Sequence, residues 1–193
     1  MKSFLATLVL GLSLAATPTL AAPLNVVASF SILGDMAREI GGDKIALTTL
    51  VGPDGDAHTF EPAPVDARAL HSADIIVMNG LHLESWMEKL VKASGSKATL
   101  VVASTGVTPR DMDEDGETIR DPHAWQDLAN GAIYVRNIEV ALSAADPEDA
   151  ATYKANADAL LARLAKLDQW TRAEIAAVPA AKRKVITTHD AFG

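Results

Sequence analysis

Cysteine is absent from the 193 residues. Disulfides, thiolate metal sites, cysteine nucleophiles and iron–sulfur clusters are therefore excluded. The same absence removes the residue that would carry a lipid behind an export leader, so a lipoprotein anchor of that kind is excluded too. Aromatic residues are scarce, at 5%, while hydrophobic residues reach 49%, carried mainly by Ala and Leu. That balance favours helices and an α/β core over an all-β sandwich. Positive charge is in deficit: 17 Lys and Arg face 25 Asp and Glu, a net charge of -8. Such a surface repels phosphate backbones, which argues against nucleic-acid binding. Beyond the N-terminus no stretch approaches the ~20 consecutive apolar residues of a membrane helix. Any metal chemistry left to this sequence must use His, Asp, Glu or water.

The N-terminus has the pattern of a secretory signal peptide spanning residues 1–22. Lys2 gives a positive start, Phe4 to Leu14 an apolar run, and Ala15 to Ala22 a small-residue exit with cleavage after Ala21 or Ala22. The expected product is exported, periplasmic and soluble.

Downstream, short apolar runs alternate with helical periodicity. Strands are expected at Leu24–Ser29, Lys44–Val51, Ile75–Met78 and Thr99–Ala103. Helices are expected at Ile32–Ile40, Pro64–Ser72, Glu84–Ala93 and Asp127–Ala144. Continuous apolar strands between helices are the signature of a parallel sheet covered on both faces, so the fold class is α/β. Thr108–Asp121 is polar and acidic, read either as a solvated loop or as a metal-recruiting one. Asp146, with Pro147 behind it, is expected to cap a long helix ending near Val178, where Pro179 follows. Such a helix would run roughly 48 Å. One face carries Tyr153, Ala157, Leu160, Leu161, Leu164, Leu167, Trp170 and Ile175. Lys184–Thr188 reads as a fresh strand close to Gly193. The expected organisation is an N-terminal metal-binding lobe (23–145), a long linking helix (146–179) and the start of a second, truncated α/β lobe (180–193).

Five histidines are present. His58, His123 and His189 lie in loops or at a strand end beside aspartates, within Gly52-Pro-Asp-Gly-Asp-Ala-His-Thr-Phe-Glu-Pro, Asp121-Pro-His-Ala-Trp and Thr187-Thr-His-Asp-Ala-Phe-Gly. Imidazole suits zinc and related transition metals, and a nearby carboxylate can orient the ring through its second nitrogen. Asp121, Asp190 and Glu61 are candidates for that role. Because the three stretches are far apart in sequence, only folding can make them one site. His71, on a helix, and His82, after Asn79-Gly80-Leu81, are weaker candidates.

Those three segments, with Asn79-Gly-Leu-His-Leu-Glu-Ser-Trp, occur in the order found in another group. The chain resembles, from about Leu24 to Gly193, the zinc/manganese-binding solute-binding proteins of ABC transporters, cluster A-I. The resemblance implies two α/β lobes joined by a rigid helix, with metal held in the cleft between them. It implies metal ligands His58 and His123 from the first lobe and His189 from the second, with a carboxylate further along completing the set. His189 stands where manganese members often have Glu, which leans toward Zn²⁺ over Mn²⁺. Zinc members often carry a His-rich loop before the second histidine; here Thr108–Arg120 is short and His-free. The expected partners are a metal ion and an ABC transporter membrane permease, with the protein a monomer that is no enzyme. Two alternatives are a zinc hydrolase with a three-His site and a metal-dependent adhesin. Against the hydrolase, neither an HExxH helix nor a GxSxG elbow is present.

Overall fold

The computed structural model describes residues 22–114, 116–187 and 191. Four strands, β1 (Leu24–Phe30), β2 (Ile45–Val51), β3 (Ile75–Met78) and β4 (Thr99–Val102), form one sheet in the order β2-β1-β3-β4. Every pair is parallel, with Val26 opposite both Leu47 and Ile75. The crossovers are α1 (Ser31–Gly41), α2 (Pro64–His71) and α3 (Met87–Ser94). This is the expected α/β class.

The alternation of side chains along each strand divides the core. Val26, Ala28 and Phe30 of β1, with Ile75 and Val77 of β3, enter a large cluster on one face. Val27 and Ile76 face the other way, into a smaller cluster with Leu70, Met87 and Leu90. The small cluster is roofed by α2 and α3. The large one is roofed by α1 and by α4 (Leu128–Ala145) and α5 (Ala150–Ala177), through Leu33, Ile138, Leu142, Tyr153 and Leu160. Strands buried on both faces explain why the sequence shows unbroken apolar runs there.

Local signals set the helix ends. Pro64 opens α2, and Asp66 accepts a hydrogen bond from the Ala63 N–H at 2.7 Å. Asp127 caps α4 by accepting from Ala129 N–H at 2.8 Å. The Arg183 guanidinium donates to the carbonyls of Val178 and Ala176, covering the end of α5.

Four expectations are corrected. First, α5 begins at Ala150 rather than Pro147. Asp146 instead ends α4 and accepts from the Tyr153 hydroxyl at 2.8 Å. Second, α3 begins at Met87, because Glu84 is drawn inward. Third, the acidic stretch is not an open loop: it is an antiparallel hairpin, β5 (Asp111–Glu114) and β6 (Glu117–Arg120). Arg120 pairs with Asp111 across it at 2.7 Å. Fourth, no strand forms over 184–187, where Val185 and Ile186 are exposed. A strand needs a neighbour to take its N–H and C=O groups, and no described strand runs alongside. Thr188 and residues 1–21, on which most of the expected signal peptide falls, lie outside the described residues. No described helix is long and apolar enough to cross a membrane.

Candidate metal centre

The chain passes from β1 outward to β2, then returns across the sheet to β3. This reversal opens a crevice at the carboxyl ends of β1 and β3, the place where open α/β sheets bind ligands. The loop after β2 carries His58 toward this edge. The segment after the hairpin carries His123.

These two histidines meet. Their Nε2 atoms stand 3.0 Å apart, with ring centroids at 5.1 Å. Two imidazole nitrogens on one tetrahedral zinc, each at ~2.0–2.1 Å, would stand about 3.3 Å apart. The pair therefore needs only a few tenths of an ångström of opening to grip an ion.

The His123 ring is held from behind, and the His58 loop is fixed through its backbone. His123 is 4% exposed. Asp121 Oδ1 accepts from both the His123 backbone N–H and its Nδ1, each at 2.8 Å. A carboxylate only accepts, so the proton of neutral His123 resides on Nδ1 and the Nε2 lone pair points toward His58. Trp125 packs against the His123 ring edge-on at 5.3 Å and against Phe30 at 5.0 Å. His58 is partly buried, and Asp56 accepts from its backbone N–H at 2.8 Å. Asp56 thus shapes the backbone of the His58 loop. The Trp86 indole N–H donates to the Ala57 carbonyl at 2.8 Å, pinning that loop to the turn before α3.

The other sequence candidates fall differently. His189 lies outside the described residues. His71 bonds through Nδ1 to the Ser94 carbonyl, joining α2 to α3 away from the pair. His82 is exposed on the β3–α3 turn. Among the described residues no group of three His, Asp or Glu side chains is placed to hold a metal ion.

A feature that sequence reasoning passed over is linked to the segment carrying His123 through Asn79 and Pro122. Glu84 is 2% exposed and accepts from Ser29 Oγ at 2.6 Å, Asn79 N–H at 2.7 Å and Gly80 N–H at 3.1 Å. Burial pushes its carboxyl above the usual carboxylate range, while these hydrogen bonds pull the other way. Asn79, fully buried, donates through Nδ2 to the carbonyls of Gly80 and Pro122 at 2.8 and 2.9 Å. Its Oδ1 accepts from Tyr134, whose hydroxyl burial holds protonated well above its ordinary value. The turn that follows is left-handed at Gly80 (φ 84), Leu81 (φ 54) and His82 (φ 66). Non-glycine residues in that region cost of order 1–3 kcal/mol each and persist only where their surroundings enforce them. The sequence carried only a turn signal here, an Asn-Gly directly after a strand, and nothing that marks Glu84 as buried.

A parallel α/β sheet with paired imidazoles at its switch point describes a ligand-binding lobe. The chain belongs to the family described as zinc-uptake complex component A, periplasmic (ZnuA), whose model matches residues 26–193. This is a family of transporter solute-binding proteins and not of enzymes. A metal ABC transporter substrate-binding lipoprotein of Lactococcus lactis is 38% identical over 176 residues, covering 88% of this chain and 56% of that protein. The manganese-bound periplasmic metal binding protein from Candidatus Liberibacter asiaticus superposes with a TM-score of 0.74 and 34% identity, over 82% of this chain and 59% of that one. Zinc-bound AdcA from Streptococcus pneumoniae superposes with a TM-score of 0.77 and 26% identity, over 89% and 36%. The chain spans about half the length of the curated relatives it matches.

Proposed function

We propose that this chain forms the first metal-gripping lobe of a periplasmic substrate-binding protein that captures a divalent transition metal and delivers it to an ABC transporter permease. His58 and His123 are the ligands from this lobe, and His189 is the third. The observation that carries the reading is the convergence of two imidazole Nε2 atoms at 3.0 Å, one of them set in its tautomer by a buried carboxylate. The ion is cargo, so a site that can open and release suits it better than a sealed structural one.

Zn²⁺ is the preferred cargo and Mn²⁺ its competitor. Three imidazoles suit zinc, whereas manganese favours harder oxygen ligands, and the family description points the same way. Relatives named for manganese and the manganese-bound neighbour support the competitor. Calorimetric titration of the full chain with Zn²⁺ tests the site: His58→Ala is expected to weaken binding by more than tenfold. Unchanged affinity would remove His58 from the ligand set. A competition between Zn²⁺ and Mn²⁺, read by metal analysis, decides the cargo.

A further inference from the structure

The buried Glu84 network reaches the metal centre by a continuous path. Glu84 takes the backbone N–H groups of Asn79 and Gly80 on its two carboxylate oxygens. That fixes the end of β3 and the left-handed turn that follows it. Asn79 is thereby set so that its carboxamide can span the gap to the Pro122 carbonyl, one residue before His123. Tyr134 on α4 and Ser104 after β4 close the arrangement, donating to Asn79 Oδ1 and to the Asn79 carbonyl at 2.6 Å in the second case. The carboxamide can sit only one way round: two carbonyls face its NH₂ group and a hydroxyl faces its oxygen. Ser29, at the end of β1, anchors Glu84 from the other side of the crevice.

We propose that Glu84 and Asn79 are positioning residues of the metal centre, transmitting the geometry of the sheet's switch point through Pro122 to the His123 ring. This rests on His123 being a ligand. No other described side-chain hydrogen bond reaches the Pro122 carbonyl, so the backbone entering His123 is tied to the sheet through Asn79. Asp121 sets the rotation of the ring about that backbone. Asn79 sets where the backbone is. A carboxylate buried under a ligand loop, with every acceptor bond aimed at backbone or hydroxyl donors on the crevice floor, is placed for this role.

The test loads the full chain with Co²⁺, whose visible absorption reports coordination geometry, and compares variants. Glu84→Gln keeps one acceptor oxygen and sets an amide NH₂ against one of the two backbone N–H groups, that of Asn79 or of Gly80. Asn79→Asp replaces the donor facing Pro122 with an acceptor. Both are expected to weaken Co²⁺ binding by about ten- to a hundredfold, the range seen when outer-shell partners are lost, and to alter the visible bands of the saturated protein. Tyr134→Phe, which removes one hydroxyl, is the gentler variant if either of the others fails to fold; a smaller shift of the same bands is expected. Folded variants with wild-type affinity and wild-type bands overturn the proposal. His58→Ala run alongside keeps the two readings apart: if it abolishes tight binding while the network variants change nothing, the metal site stands and the positioning role falls. If His58→Ala also changes nothing, the site itself falls.

Discussion

At the scale of single residues, the centre rests on one carboxylate doing two things. Asp121 satisfies a buried backbone N–H and a buried ring N–H with the same oxygen. Asp121→Ala leaves both without their partner, and an unpaired buried donor costs about 1–3 kcal/mol. The ring also loses the acceptor that selects its tautomer. Zinc affinity, measured against a chromophoric chelator, is expected to fall by about ten- to a hundredfold. Unaltered affinity would mean that Asp121 serves folding alone. Asp121 was legible because it stands two positions from His123 in a motif rich in loop residues. Glu84 and Asn79 were not, because their partners Ser29, Tyr134 and Pro122 come from distant elements, and no local spacing announces a buried network. The left-handed turn at Leu81 and His82 was equally hidden: neither residue type favours that conformation, so only the hydrogen bonds around it explain it.

At the scale of elements, periodicity located the four sheet strands and the main helices to within a few residues, and it failed where tertiary partners overrode local chemistry. Asp146 and Pro147 look like a helix start, yet Tyr153 draws Asp146 to itself and Lys44 pairs with Asp149 at 3.0 Å, so the helix begins later. The hairpin was missed although Asp115-Gly116 between two short polar runs is a turn signal; Gly116 takes φ 85 as such a turn requires. Charge then fastens the helices to each other. Asp158 on α5 lies 2.7 Å from Lys154 and 2.8 Å from Arg136 on α4. Hydrogen bonds from Lys154 and Arg136 hold its carboxyl below the usual carboxylate range. A carboxylate whose folded value is depressed contributes stability above its unfolded value and loses it as pH falls through the folded one. Asp158→Asn is therefore expected to lower the thermal midpoint at pH 7 by about 1–2 °C, and by progressively less as pH falls below the ordinary carboxylate range. The side chains are exposed, so high salt should shrink the difference at pH 7 as well. An effect that does not shrink as the medium is acidified would show that packing, not charge, is what the substitution disturbs.

At the scale of the whole molecule, α5 is two helices in energetic terms. Its first half lies on α4 and α1, with Tyr153, Ala157 and Leu160 buried, Asn156 donating to the Ile40 carbonyl and Arg163 reaching Glu39. Its second half carries Leu167, Trp170 and Ile175 at 45, 59 and 55% exposure. The sequence presents both halves as one apolar stripe, because periodicity records which face is apolar and not what covers it. The distinction is measurable on this chain by thermal unfolding. Leu160→Ala removes buried methyl groups from the large cluster and is expected to cost about 2–5 kcal/mol, or roughly 5–15 °C at this chain length. Trp170→Ala deletes a far larger side chain, yet one that the described fold does not cover. Its midpoint is expected to stay within about 2 °C of the parent, as surface substitutions usually change stability by less than ~0.5 kcal/mol. If Trp170→Ala destabilised the chain as much as Leu160→Ala, the indole would have to be buried in solution. The core would then extend along α5 beyond Leu164, and the cleft beside His123, which Ile175 and Ala176 line, would be narrower than its ~760 Å³.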